Sequence, residues 1–136
     1  MKKQTTVLLV EDNHILREAM RDLLQAIHPD WRVIEAENGL EGFELARHTR
    51  PDAIVLDFNM PIMNGYELAI RLQQKPETSR IPLILNSSED VDNPFIVRLR
   101  TMCQAVLSKP FSLRNIEYTF NHVFGQPAEP LQPVLA

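Results

Sequence analysis

Four short stretches carry side chains that could act on one substrate. Glu11-Asp12 follow an apolar run, Asp57 ends another within "AIVLDFNMPIMNG", Ser87 follows a third in "IPLILNSSE", and Lys109 follows a fourth in "LSKPF". A buried strand has no packing reason to end on a carboxylate, so Asp57 calls for a chemical explanation. Carboxylates gathered in one place repel: two like charges about 4 Å apart cost about 4 kcal/mol at an effective dielectric near 20. A proton or a cation relieves that cost. A small set of hard oxygen ligands suits Mg²⁺, which keeps several waters and accepts a phosphate oxygen as co-ligand. A carboxylate can attack phosphorus to give an aspartyl-phosphate. An ammonium and a hydroxyl can then neutralise or hydrogen-bond the phosphoryl oxygens. Asp57, alone at its strand's tip, is the candidate nucleophile. Glu11 and Asp12 are candidate cation ligands, and Lys109 and Ser87 are candidate phosphoryl partners. Taken singly, each has a plainer reading: a solvated acidic rim, a surface lysine before a loop proline, a turn serine.

These residues meet only if the elements that carry them are neighbours. Apolar runs at 7–10, 53–56, 83–85 and 105–107 lack alternation, which predicts strands covered on both faces of a parallel sheet. The more mixed segment 31–36 reads as a further strand, at an edge. Between the strands the period changes to that of helices. Ile15, Ala19, Leu23 and Ile27 step by four, with Leu16, Met20 and Leu24 alongside, which predicts an amphipathic helix capped by Asn13 and ended at His28-Pro29. "NGLEGFELARHT" is a weaker helix with Gly42 inside it, "NGYELAIRLQQ" is another, and 111–124 is the last, starting near Pro110 or Ser112. Pro94 is tolerated only in a first turn, so a helix is expected to start near Asn93 after a long loop over 86–92. The order is β-α repeated five times. Short, right-handed connections then give an α/β domain whose parallel sheet has helices on both faces. In such folds, sites form beyond the carboxyl ends of the strands, which is where all four stretches fall.

With 136 residues the chain is the size of one domain that needs no disulfide or metal to hold a core. A net charge of −4 with no basic run disfavours nucleic-acid binding. The one cysteine, Cys103, has no partner for an internal disulfide. No segment approaches the roughly 20 apolar residues of a membrane span, and the apolar run at 7–10 is too short for a signal peptide. A cytoplasmic protein is expected. Residues 125–136 read as a disordered tail, although Pro127, Pro130 and Pro133 share the polyproline II period. His14, His28, His48 and His122 show no metal spacing and read as helix-surface or helix-end residues.

With these four motifs in this order, the chain resembles the receiver domains of response regulators, in particular the single-domain, chemotaxis-regulator kind, over roughly residues 5 to 124. The carriers are "LLVEDN", "VLDFNMPIMNG", "IPLILNSSE" and "LSKPF". The resemblance implies a flavodoxin-like (βα)5 fold with strand order 2-1-3-4-5 and a receiver domain over 1–124. It implies a switch that is not an enzyme in its own right: Asp57 is phosphorylated by a histidine kinase or a histidine phosphotransfer protein. Mg²⁺ is held by Glu11, Asp12, Asp57 and the backbone carbonyl of Asn59. Ser87 and Lys109 bond the phosphoryl group, and Asn59 and Glu89 tune its hydrolysis. A cis Lys109-Pro110 bond is also implied. Output goes to a downstream protein, and a phosphorylation-dependent dimer is left open. There are departures. Val106 stands where the family usually has Tyr or Phe, Met102-Cys103 stand where Gly-Ala is common, and Pro94 implies an unusual fourth helix. They bear on the output face. Two other readings stay open: an aspartate-nucleophile phosphohydrolase, which would want an acid at Asn59, and an interaction module indifferent to phosphorylation.

Overall fold

The apolar runs become one sheet. The computed structural model describes residues 3–87, 93–109 and 111–125. Along the chain lie β1 (Thr6–Val10), α1 (His14–Ile27), β2 (Arg32–Ala36), α2 (Gly39–Thr49), β3 (Ala53–Asp57), α3 (Gly65–Gln73), β4 (Leu83–Ser87), α4 (Pro94–Met102), β5 (Ala105–Ser108) and α5 (Leu113–Val123). All five strands are parallel, in the order 2-1-3-4-5. Every residue of β3 and β4 is buried. Up to their polar tips those strands therefore read as apolar runs, whereas the edge strand β2 keeps partial exposure and a mixed sequence.

Alternation along the strands sorts the core into two. Leu8, Val10, Ile54, Leu56 and Leu85 face a cluster with Phe43, Ala46, Leu68, Leu72, Ile96 and Leu99, from α2, α3 and α4. Val7, Leu9, Val55, Ile84 and Leu107 face Met20, Leu24, Ile116 and Phe120, from α1 and α5. Each of the larger side chains (Val, Leu, Ile, Phe, Met) contributes about 1.5–3 kcal/mol by leaving water.

The helices start on capping side chains. Asn13 accepts from the N–H groups of Ile15 and Leu16, Asn38 from Glu41, Asn93 from Phe95 and Ser112 from Asn115, while Asn64 and Glu67 form a reciprocal capping box. Pro94 occupies the first turn of α4, as expected. Gly42 is required inside α2 because a Cβ there would sit 2.8 Å from a Val10 methyl; its absence lets α2 lie close on β1.

Three expectations change. In α1 the buried line is Met20 and Leu24, with Leu16, Leu23 and Ile27 partly buried, while Ile15 (72% exposed) and Ala19 face outward. The stripe is centred one residue later than a step-by-four pattern from Ile15 suggests. The strand runs further than expected, through Asn86 and Ser87: Asn86 pairs with Asp57 and Ser87 with Ser108, so paired neighbours carry it through two polar residues, and the rest of the expected loop, 88–92, lies outside the described residues. The last helix is shorter than 111–124 because Ser112 caps it at Leu113. Glu89, the Lys109-Pro110 bond and the tail beyond Gly125 lie outside the described residues. Among the described residues no helix is long and apolar enough to cross a membrane.

Candidate functional site

The carboxyl ends of β1, β3, β4 and β5 place the four sequence motifs at one end of the sheet. Glu11 stays in the sheet one residue beyond β1, its N–H donating to the Ala36 carbonyl at 3.0 Å. Its side chain is turned inward, 5% exposed, and its Oε2 accepts the Asn13 N–H at 3.1 Å. Asp12 is exposed at the rim. Asp57, the last residue of β3, is 8% exposed. One carboxylate oxygen from each of Glu11, Asp12 and Asp57 lies within 4.8 Å of the others.

Lys109 reaches this trio from the far side. Its backbone N–H donates to the Ser87 carbonyl at 3.0 Å, continuing the β4–β5 ladder. Its Nζ then lies 3.3 Å from Glu11 Oε1 and 3.3 Å from Asp57 Oδ2. Ser87 is buried at the tip of β4, one residue past the partner of Asp57. Asn59 sits in the exposed start of the loop after β3, and Val106 is half-buried in β5 against the α2–α4 core. The structure thus brings Glu11, Asp12, Asp57 and Lys109 together, with Ser87 at the same end of the sheet.

The electrostatics follow from that geometry. Burial, together with the nearby Asp57 charge and a hydrogen bond with Asp12, pushes the Glu11 carboxyl from 4.5 up to about 7, against the lowering effects of the Asn13 N–H and Lys109. Burial works to lower the Lys109 ammonium, but Asp57 and Glu11 outweigh it and hold it above its ordinary value. Three carboxylates against one ammonium leave two formal negative charges when all are ionised, which a divalent cation balances. Hard oxygens, a small ligand number and an exposed Asp12 that leaves the rim open to water fit the coordination that Mg²⁺ prefers.

Backbone features that the sequence reading passed over shape this end of the sheet. At Gly65 a Cβ would collide with the Asp57 carbonyl, so only glycine lets α3 begin against the end of β3, and the Gly65 N–H donates to the Phe58 carbonyl at 2.9 Å. In the intervening loop Ile62 adopts φ 71°, a left-handed conformation costly for a β-branched residue, and is 74% exposed. Behind Glu11, Arg17 donates to the Glu11 carbonyl at 2.7 Å and to Glu35 at 3.0 Å. Asn86 borders a cavity of about 10 Å³ with Glu11 and Arg17, and its Oδ1 has no hydrogen-bond partner among the described residues. The Asn-Gly pair at 64–65 was the visible signal for the close approach; nothing local in the sequence marks Arg17 or Asn86.

Comparison with known proteins gives the same grouping. The family model for the response regulator receiver domain matches residues 7–121. The polar-differentiation response regulator DivK of Brucella anthropi is 32% identical over 120 residues, covering 88% of this chain and 96% of DivK. Histidine kinase P4 of Formosa agariphila is 31% identical over 90% of this chain, but the chain spans only 9% of that much longer protein. Among solved structures, the receiver domain of sensor histidine kinase PA1611 from Pseudomonas aeruginosa PAO1, with a magnesium ion coordinated in its active site cleft, superposes with a TM-score of 0.82 at 23% identity, covering 90% of this chain and 99% of that one. With its sheet order, its acidic trio and a family match over most of its length, the chain belongs to the response regulator receiver domain family.

Proposed function

We propose that the chain is a Mg²⁺-dependent phosphoacceptor switch, phosphorylated on Asp57 by a histidine kinase or a histidine phosphotransfer protein and acting by binding a downstream protein. The observation that carries this reading is the Lys109 ammonium at 3.3 Å from both Asp57 and Glu11, beside an acidic trio that a divalent ion would complete. Glu11, Asp12, Asp57 and the Asn59 carbonyl would hold the ion. When bound, Mg²⁺ supplies charge neutralisation for the incoming phosphoryl oxygens.

The chain's own residues do the rest. A carboxylate oxygen of Asp57 attacks the phosphorus of a phosphohistidine; a P–O bond forms, the P–N bond breaks, and its electron pair returns to the imidazole. Lys109 exchanges part of its pairing with Asp57 for the new phosphoryl oxygens, and the Ser87 hydroxyl donates to another. The phosphoryl group carries about −1.5 to −2 where the carboxylate carried −1, and its acceptor oxygens draw the Ser87 hydroxyl inward. That displacement biases α4 and β5 between two arrangements, which a partner protein reads. With Val106 in place of an aromatic, the bias passes through backbone and aliphatic packing. By the resemblance to the family, Asn59 and Glu89 hold the two positions that set how long the phosphoryl group lasts. Asn59 also counts against a phosphohydrolase, since an amide there supplies no general acid or base. The magnesium-bound receiver domain of PA1611 and the homologous segment of histidine kinase P4 support the metal and the kinase pathway.

Beryllofluoride, a phosphoryl mimic, tests the reading. It is expected to bind only with Mg²⁺ present and to shift amide resonances in β4 and α4, and both effects are expected to vanish in Asp57→Ala. Binding that persists without Mg²⁺ or in the variant would reject it.

A further inference from the structure

Glu11 and Asp12 sit where β1 leaves the sheet. The Glu11 N–H still pairs with Ala36, but the chain then turns into α1, and the Glu11 carbonyl is bonded by Arg17 instead, at 2.7 Å. Because the peptide is planar, the direction of that carbonyl fixes the plane carrying the Asp12 nitrogen and Cα. Arg17 is itself held: its Nε donates to Glu35 Oε1 at 3.0 Å, and the other oxygen of Glu35 accepts Arg21 Nη1 at 2.9 Å. The Arg17 side chain is 14% exposed. Glu35 lies in β2 opposite Leu9 of β1, so the clamp runs from the sheet through α1 back to the acid pair.

We propose that Arg17, braced by Glu35, is a positioning residue that sets the Glu11–Asp12 peptide, and with it the two outer carboxylates, for a divalent cation. The proposal rests on the Mg²⁺ reading above and assigns that site a support that touches neither metal nor phosphoryl group. It makes an electrostatic prediction of unusual sign. A bare cation near the site repels Mg²⁺, so if charge alone mattered, neutralising Arg17 would tighten binding. If Arg17 orients the ligands, neutralising it weakens binding. Arg21, which shares Glu35 but does not touch Glu11, provides the control.

The test is a Mg²⁺ titration of the full chain at fixed ionic strength and pH 8, followed by the amide resonances of Asp12 and Asn13. Arg17→Met is expected to raise the dissociation constant about 10-fold, in the range seen when groups that orient metal ligands are lost. Arg21→Met is expected to stay within about twofold of wild type or to tighten. Arg17→Lys keeps the charge but, as a single point donor, cannot bridge the Glu11 carbonyl and Glu35 together, so it is expected to weaken binding several-fold; this arm decides the matter if Arg17→Met fails to fold. Unchanged or tighter Mg²⁺ binding in the Arg17 variants, with Arg21→Met alike, overturns the proposal. If wild type itself binds no Mg²⁺, the site reading fails first. The clamp is then judged in the metal-free chain, where Arg17→Lys must move the Asp12 and Asn13 resonances and Arg21→Met must not.

Discussion

Replacing Glu11 by Gln should stabilise the metal-free protein at pH 8. The folded chain holds the Glu11 proton up to about 7, whereas the unfolded chain releases it near 4.5. Between those values the folded state binds more protons, so stability falls as pH rises through the window and levels off above it. A gap of about 2.5 units at 1.36 kcal/mol each is about 3 kcal/mol. The cause is burial of a carboxylate beside Asp57, only partly offset by Lys109 and the Asn13 N–H. Glutamine keeps an acceptor for that N–H and cannot ionise. In urea titrations with a chelator present, the variant should match wild type near pH 4.5 and exceed it by about 3 kcal/mol at pH 8. Groups common to both chains cancel in the difference. A difference that is flat with pH, or a variant less stable at pH 8, would refute the picture of a strained acidic trio. Added Mg²⁺ should stabilise wild type increasingly as pH rises through about 7, and the variant much less.

Other perturbations separate the site from its frame. Lys109→Met removes the ammonium that lies against Asp57 and Glu11; it should tighten Mg²⁺ binding several-fold by calorimetry while slowing phosphoryl transfer by at least tenfold. Gly65→Ala forces a methyl against the Asp57 carbonyl; urea unfolding should show a loss of about 1–3 kcal/mol, with weakened beryllofluoride binding. Ile62→Asn relieves a left-handed β-branched residue that is 74% exposed; it should gain about 0.5–1 kcal/mol in the same assay.

Much of the architecture was legible because β3 and β4 are covered on both faces and spell it out as apolar runs. The edge strand β2 was correctly read as mixed for the converse reason. Where local pattern stopped short, tertiary pairing decided. Asn86 and Ser87 belong to β4 because Asp57 and Ser108 pair with them, a fact outside their own segment. Ile15 looks like core by period but lies in the first turn of α1 and is 72% exposed. The same division holds at the site. Glu11, Asp12, Asp57, Ser87 and Lys109 were visible because each ends or follows an apolar run, and the strand-end rule collects such residues. Arg17 and Glu35 were not, since their meeting depends on how α1 sits across β2. Residue by residue they are ordinary surface charges.

The central claim is that Asp57 accepts a phosphoryl group within a metal-dependent site. Intact-mass spectrometry after incubation with an autophosphorylated histidine kinase measures this directly. The account predicts the mass gain of one phosphoryl group with Mg²⁺ present, none with chelator, and none in Asp57→Ala. Equal gain without Mg²⁺, or gain that survives the substitution, would contradict it.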